Sequence, residues 1–247
     1  MGVYVLILAS VFATSLLSGI LGMAGGMILM AILVSTLTVA NAMMLHGAVQ
    51  ATANGALAFL LRRHIKWSLL PIYSVGAALS VGLFTTLTLV PDAGVVLILV
   101  GLFPWLGLVS KRLRGLDVTR PMTTLTCGFA VTSAQLLAGA SGPLLDVFYL
   151  NAPLNRQEIV ANKALTQTLG HVLKIVYYGI IVAVSTTLPA MLFLLALPLA
   201  VAGTRVGTHL LVRWNDEAFQ RVSRIIILGI AALCIASGVR SLLQTAA

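Results

Sequence analysis

From residue 3 to residue 243 the chain is a succession of apolar stretches joined by short polar connections. A hydrocarbon core takes about 20 predominantly apolar residues per spanning helix, and residues 3–21 already supply one. Inside lipid every backbone N–H and C=O must be satisfied within the protein, so stretches of this length are read as helices. Composition agrees. Of 247 residues, 60% are hydrophobic and 9% charged, with a mean hydropathy of +1.07, whereas a soluble domain carries roughly 25% charged residues. Too few charges remain to solvate a globular surface, and the connections leave no room for a separate soluble domain. Residues 3–21 lack a basic leader and are followed by equally apolar segments, so they read as a span rather than a removed signal.

The net charge of +9 lies in short clusters at segment ends, where basic residues set membrane topology. Nucleic acid is therefore not an expected partner. Cys127 and Cys234 sit inside apolar segments and form no metal or redox motif. No metal and no cofactor are expected.

Ten helical segments can be drawn. Five cover residues 3–21, 27–39, 42–61, 68–90 and 93–110; five more cover 122–138, 144–150, 157–184, 189–212 and 218–243. Each set begins with a long segment, a glycine-rich break and a short segment. The breaks are residues 22–26, Gly-Met-Ala-Gly-Gly, and residues 139–143, Gly-Ala-Ser-Gly-Pro. A single offset of 117 carries Gly22 to Gly139, Gly25 to Gly142, Gln50 to Gln167, His46 to Lys163 and Asn54 to His171. The chain thus divides into two membrane repeats, residues 1–115 and 116–247.

Basic residues in short loops mark the cytoplasmic side. Placing Arg62, Arg63 and Lys66 there puts Asp92 outside and returns Lys111, Arg112 and Arg114 to the cytoplasm. For Arg156, Arg213, Arg221 and Arg224 to be cytoplasmic too, each broken pair must begin and end on one side. The two repeats are then inverted and both termini lie outside; Arg240 fits this arrangement poorly. The expected fold is an all-α polytopic membrane protein of two inverted repeats, each a broken or re-entrant helix pair plus three transmembrane helices. Interrupted helices in matching positions of inverted repeats point to a transporter binding site. Glycines that simply let helices pack closely, the role expected of Gly203 and Gly207, are the competing explanation for the breaks.

A charged side chain at the bilayer centre costs about 2.5–3.5 kcal/mol on insertion scales and usually faces a cavity or partner. Lys163, Gln167, His171 and Lys174 follow one another at i, i+4, i+8 and i+11, on one helix face. His46, Gln50 and Asn54 form the matching face in the first repeat. These stripes offer amides and cations, and the N-terminus of a broken helix adds free N–H groups and a positive dipole end. All of these favour an anion. The expected substrate-binding residues are Gly22, Gly25, Gly26, Gln50, Asn54, Gly139, Ser141, Gly142, Lys163, Gln167 and His171. Other roles stay open for several: Lys163 and Lys174 can snorkel to the surface, His46 can be interfacial, and the glutamines can tie helices together. Asp146 neutralises Lys163 or Lys174, or else carries a coupling proton, as His171 also could. Glu158 reads as a solvated helix-start charge, and Trp67, Trp105 and Trp214 as interface anchors.

The two glycine breaks and the polar helix after each, around Gln50–Asn54 and residues 162–167, resemble the sulfite exporter TauE/SafE family of membrane permeases over essentially the whole chain. Ala24 interrupts the first glycine run, and no proline follows until Pro71. The resemblance implies transport of sulfite, organosulfonates or related sulfur-containing or carboxylate anions; the residues themselves argue only for an anion. The expected function is secondary transport of a small anion by alternating access, in the inner cell membrane as a multi-pass protein. No ATP-binding motif is present, so coupling falls to an ion gradient or a separate subunit. Partners would be the anion and the bilayer, with a homodimer as the assembly to test. A passive anion channel is the alternative. An intramembrane enzyme lacks any metal or nucleophile–base motif in the sequence, and a role as an assembly subunit would leave no transport activity in the isolated protein.

Overall fold

A computed structural model of the chain describes residues 2–21, 24–109, 116–183, 186–211 and 216–246. These form ten α-helices and no strand: α1 (Gly2–Leu21), α2 (Ala24–Thr36), α3 (Val39–Leu60), α4 (Leu69–Leu87), α5 (Ala93–Val109), α6 (Pro121–Ala138), α7 (Gly142–Tyr149), α8 (Arg156–Val176), α9 (Ala190–Leu211) and α10 (Asp216–Ala246). A 3₁₀ turn, Arg62–His64, follows α3, and a π-helical segment, Tyr177–Ile181, continues α8. Gly22, the cluster at Lys111, Arg112 and Arg114, Arg213 and Trp214 lie outside the described residues, as do the side chains of Arg221 and Arg224.

Four helices, α1, α4, α9 and α10, are long and apolar enough to cross a membrane; α2 and α5 are apolar but shorter. Leu79 and Leu83 on α4 and Leu194 and Leu195 on α9 point outward and are largely uncovered. Such faces are a liability in water and the natural contact with acyl chains. The helices α3 and α8, 22 and 21 residues long, are not in that set. They bury their polar side chains inside the protein instead: His46 and Gln50 on one, Gln167, His171 and Lys174 on the other.

Four helix pairs make the most extensive contacts: α1 with α9, α4 with α6, α5 with α10, and α3 with α8. Small residues allow the close approach. A Cβ on Gly207 would overlap the Leu16 carbonyl, and one on Gly76 or Gly128 would overlap the carbonyl of Leu125 or Tyr73. Gly203 faces the Phe12 carbonyl in the same way, the packing role expected of it. The pair α3–α8 is held at one end by polar bonds. Asn155 and Glu158 form a capping box at the start of α8, Glu158 pairs with Lys66 at 2.9 Å, and the Lys66 N–H donates to Asn162 Oδ1 at 3.1 Å.

Three boundaries differ from expectation in ways that matter for the site. Gly25 and Gly26 belong to the first turn of α2, and Gly142 and Pro143 open α7. The second break therefore shrinks to Gly139, Ala140 and Ser141, with proline pre-organised for the helix start. Gly139 caps α6 in the left-handed region at φ 72°, its N–H donating to the Gln135 carbonyl, a conformation that glycine adopts without strain. The eighth segment does not run regularly to residue 184. It widens into π geometry at Tyr177, and Ala183 has φ 51°. The consecutive residues Tyr177 and Tyr178 are both fully buried, and each must find a hydroxyl acceptor. Tyr177 donates to the Phe84 and Leu89 carbonyls, Tyr178 to the Leu136 carbonyl at 2.8 Å.

Candidate anion cavity

A cavity of about 240 Å³ lies between α3 and α8. The first turns of α2 and α7 border it through Gly26 and Gly142. Gln50 and Asn54 line it from α3; Lys163, Gln167 and His171 line it from α8. The two polar stripes thus face a common space. Ser141 and Asp146 complete the expected residues found in the wall.

The other expected residues lie elsewhere. Gly25 packs against the Thr14 carbonyl and Ser18 of α1, where a Cβ would overlap both. Gly139 sits beneath the wall against Met30 and Met43. These two place the helix starts and do not line the cavity; Gly22 is outside the described residues.

The wall is a hydrogen-bonded amide network. Gln135 Nε2 donates to Gln167 Oε1 at 2.9 Å, and Gln167 Nε2 donates to Ser141 Oγ at 3.3 Å. Asn54 Nδ2 donates to the Gln50 carbonyl at 3.0 Å and reaches Gln50 Oε1 at 3.4 Å. Gly26 leaves its face open to Gln50, whose amide lies 3.3 Å from where a Cβ would stand.

One end of the cavity is open and the other closed. At the open end Lys163 forms an ion pair with Asp146, with side chains 20% and 45% exposed. Of the two lysines weighed for Asp146, its partner is thus Lys163, and the wall contains a carboxylate as well as a cation. At the closed end His46 and His171, 0% and 2% exposed, meet edge to face with centroids 5.4 Å apart. His46 Nε2 lies 2.8 Å from the Gly26 carbonyl, and its Nδ1 lies 2.9 Å from Lys174 Nζ. Lys174 is 0% exposed and also donates to the Gly139 carbonyl at 2.8 Å. It does not snorkel.

Sequence reasoning missed three polar wall or support residues: Ser18 and Thr204 in the wall, and Gln135 behind Gln167. The signal for two of them was present. The offset of 117 that carries Gln50 to Gln167 also carries Ser18 to Gln135. Thr204 has no such counterpart. Among the described residues no group of His, Cys, Asp or Glu could hold a metal ion, and both cysteines are buried and unpaired.

Comparison with curated proteins and with solved structures returns no match. The family comparison does. Residues 6–234 match the sequence model of Sulfite exporter TauE/SafE, nearly the whole chain and all the helices that build the cavity. This multi-pass helical membrane protein therefore belongs to the sulfite exporter TauE/SafE family of transporters.

Proposed function

We propose that this chain carries a small anion across the cell membrane by alternating access, with the α3–α8 cavity as the binding site. The single observation behind this is the lining itself. Amide and hydroxyl donors, a lysine and the starts of two short helices converge on one space open at one end. The first turn of a helix leaves N–H groups without intrahelical acceptors and carries a positive partial charge. Gly26 and Gly142 bring two such turns to the wall, while Gln50, Asn54, Gln167 and Ser141 replace the water a bound anion sheds. Lys163 gives it a cation at the entrance.

Two inverted repeats, 1–115 and 116–247, account for how the helices pair. Exchanging each helix with its counterpart five places on turns the α1–α9 pair into α6–α4, and leaves α5–α10 and α3–α8 unchanged. A two-fold axis between the repeats behaves this way. In the same reading Arg62, Arg63 and Lys66 are cytoplasmic, so the open end faces the cytoplasm and the protein sits in the inner membrane with its termini outside. Sulfite or an organosulfonate is the substrate class that family membership favours.

A passive channel is the second reading. It needs a continuous pore, and the buried pair His46 and His171 at the far end, packed edge to face, favours a carrier. The expected proton carriers were His171 and Asp146. Asp146 is engaged by Lys163, whereas His171 Nδ1 is buried without a hydrogen-bond partner among the described residues.

The test is uptake into proteoliposomes of labelled sulfite, methanesulfonate and acetate, with Gln50→Ala and Gln167→Ala beside the wild type. Each variant is expected to lose about tenfold in transport or more, the scale of one to two lost charge-assisted hydrogen bonds. Full transport of every anion by both variants would overturn the cavity assignment. Flux that never accumulates anion against its gradient would favour the channel.

A further inference from the structure

Lys174 poses a problem that the anion site alone does not solve. It is an amine with 0% exposure, and none of the ion pairs formed among the described residues includes it. Asp146 is taken by Lys163, and Glu158 by Lys66. A buried ammonium without a counter-charge is costly. What surrounds Lys174 are acceptors and imidazoles. The end of α6 presents the Gly139 carbonyl. From α3 comes His46, and from its own helix His171, whose ring packs on that of His46. The helix α2 contributes the Gly26 carbonyl, bonded to the other nitrogen of His46, and no titratable side chain. Gly47, next to His46 on α3, has no side chain where Lys174 passes; a Cβ there would stand 3.3 Å from Lys174 Cε.

The tautomer of His46 follows from its partners. A carbonyl oxygen only accepts, so Nε2 carries the hydrogen donated to Gly26. That leaves Nδ1 as an acceptor facing Lys174 Nζ. One ring therefore separates the lysine from the cavity, and that ring also lines the cavity.

We propose that Lys174 and His46 form the coupling site, holding one proton when the cavity holds an anion and none when it is empty. This rests on the anion-transport reading above. The step is a simple transfer. An N–H bond on Lys174 Nζ breaks, one on His46 Nδ1 forms, and no electrons change hands. The product is a neutral amine still donating to Gly139 and an imidazolium on the cavity wall. An anion in the cavity supplies the counter-charge that the described residues do not. When it leaves, the uncompensated charge is expelled as a proton through His46 or His171 to the open end. Anion and proton thus bind with positive linkage, and by reciprocity acid strengthens anion binding as much as the anion strengthens proton binding.

The experiment uses wild type and Lys174→Gln in proteoliposomes with a trapped pH dye. Methanesulfonate is the main probe because its own charge does not change over the pH range, with sulfite and acetate alongside. Wild type is expected to accumulate labelled anion when protons flow in the same direction, and anion entry is expected to carry protons with it. In Lys174→Gln the amide can still donate to Gly139 and His46 but cannot carry a proton. Gradient-driven accumulation should fall about tenfold or more, within the usual range of coupling strengths, while anion exchange at equal pH persists. If Lys174→Gln fails to fold, proton entry accompanying anion in wild type, and its loss in Lys174→Arg, test the same point. Accumulation by either variant at the wild-type level, or wild-type anion exchange indifferent to the gradient, overturns the coupling site and leaves the cavity assignment standing. If wild type exchanges none of the three anions, the transport reading itself fails, and the coupling site with it.

Discussion

The side chains of Gln135 and Gln167 meet at 2.9 Å, and Gly170 makes the meeting possible. A Cβ on Gly170 would overlap the Gln135 carboxamide oxygen. The amide of Gln167 is thereby fixed from behind, leaving its Nε2 to reach Ser141 at the second break. A residue outside the cavity thus orients one that lines it.

Gly170→Ala should therefore lower apparent anion affinity while the protein still folds. The displaced Gln135 amide would leave Gln167 short of a donor, a loss of about 1 kcal/mol or a few-fold in KM. Steady-state uptake kinetics check this, with Gln135→Ala giving a similar shift. Unchanged KM in both variants would mean that Gln167 needs no support.

The ion pair at the entrance gives a prediction of opposite sign. Lys163 now spends its charge on Asp146. Asp146→Asn should free it and tighten binding of methanesulfonate by about two- to fivefold, the worth of a partly exposed pair. Lys163→Met should weaken binding. If Asp146→Asn instead abolishes accumulation driven by a pH gradient, the coupling proton resides on Asp146 and not on Lys174–His46.

Gly139, at the start of the second break, is hard to replace. Its φ of 72° is one that side-chain-bearing residues adopt at a cost, and a Cβ would stand 2.5 Å from Met30 Sδ and 2.8 Å from Met43 Sδ. Overpacking of this kind costs about 1–3 kcal/mol, and the left-handed backbone adds about 1 kcal/mol or more. Gly139→Ala should lower the melting temperature of the detergent-solubilised protein by several degrees. Gly25→Ala, which meets the α1 backbone at Thr14, should do the same; Gly82→Ala, with nothing near its Cβ, should not.

How much of this could be read beforehand depended on whether the signal was local. Runs of apolar residues and paired glycines are local, so ten helices and two breaks were visible in the sequence. The stripe from Lys163 to Lys174 was visible too, because i, i+4, i+8 and i+11 share a face whatever the fold. The partners of that stripe were not. Lys174 and Lys163 are the same residue type on one helix, yet one is buried against His46 and the other sits at an open mouth with Asp146. The packing of α3, the end of α6 and α7 against α8 separates them. Gln135 was overlooked for the same reason: a lone glutamine in an apolar helix has no visible partner until α6 and α8 are packed together. The glycine breaks were read as open turns because glycine disfavours helices locally. Tertiary packing reverses that preference for Gly25, where the absence of a side chain lets α2 start directly against α1.

The sidedness of the cavity can be tested on the protein without knowing its substrate. Leu57 lies in the cavity wall on the last turns of α3, toward Arg62 and Lys66, whereas Val90 follows α4 at the opposite end and is exposed. The two native cysteines are buried, Cys127 at 0% and Cys234 at 5% exposure, so they give little background labelling. Leu57→Cys should react with a membrane-impermeant thiol reagent applied from the cytoplasmic face, and Val90→Cys from the outer face. An anion that fills the cavity should slow labelling at Leu57→Cys and leave Val90→Cys unaffected. Labelling of both from one face would overturn the orientation drawn from the basic clusters. Protection at neither position by any of the three anions would place their binding site somewhere other than between α3 and α8.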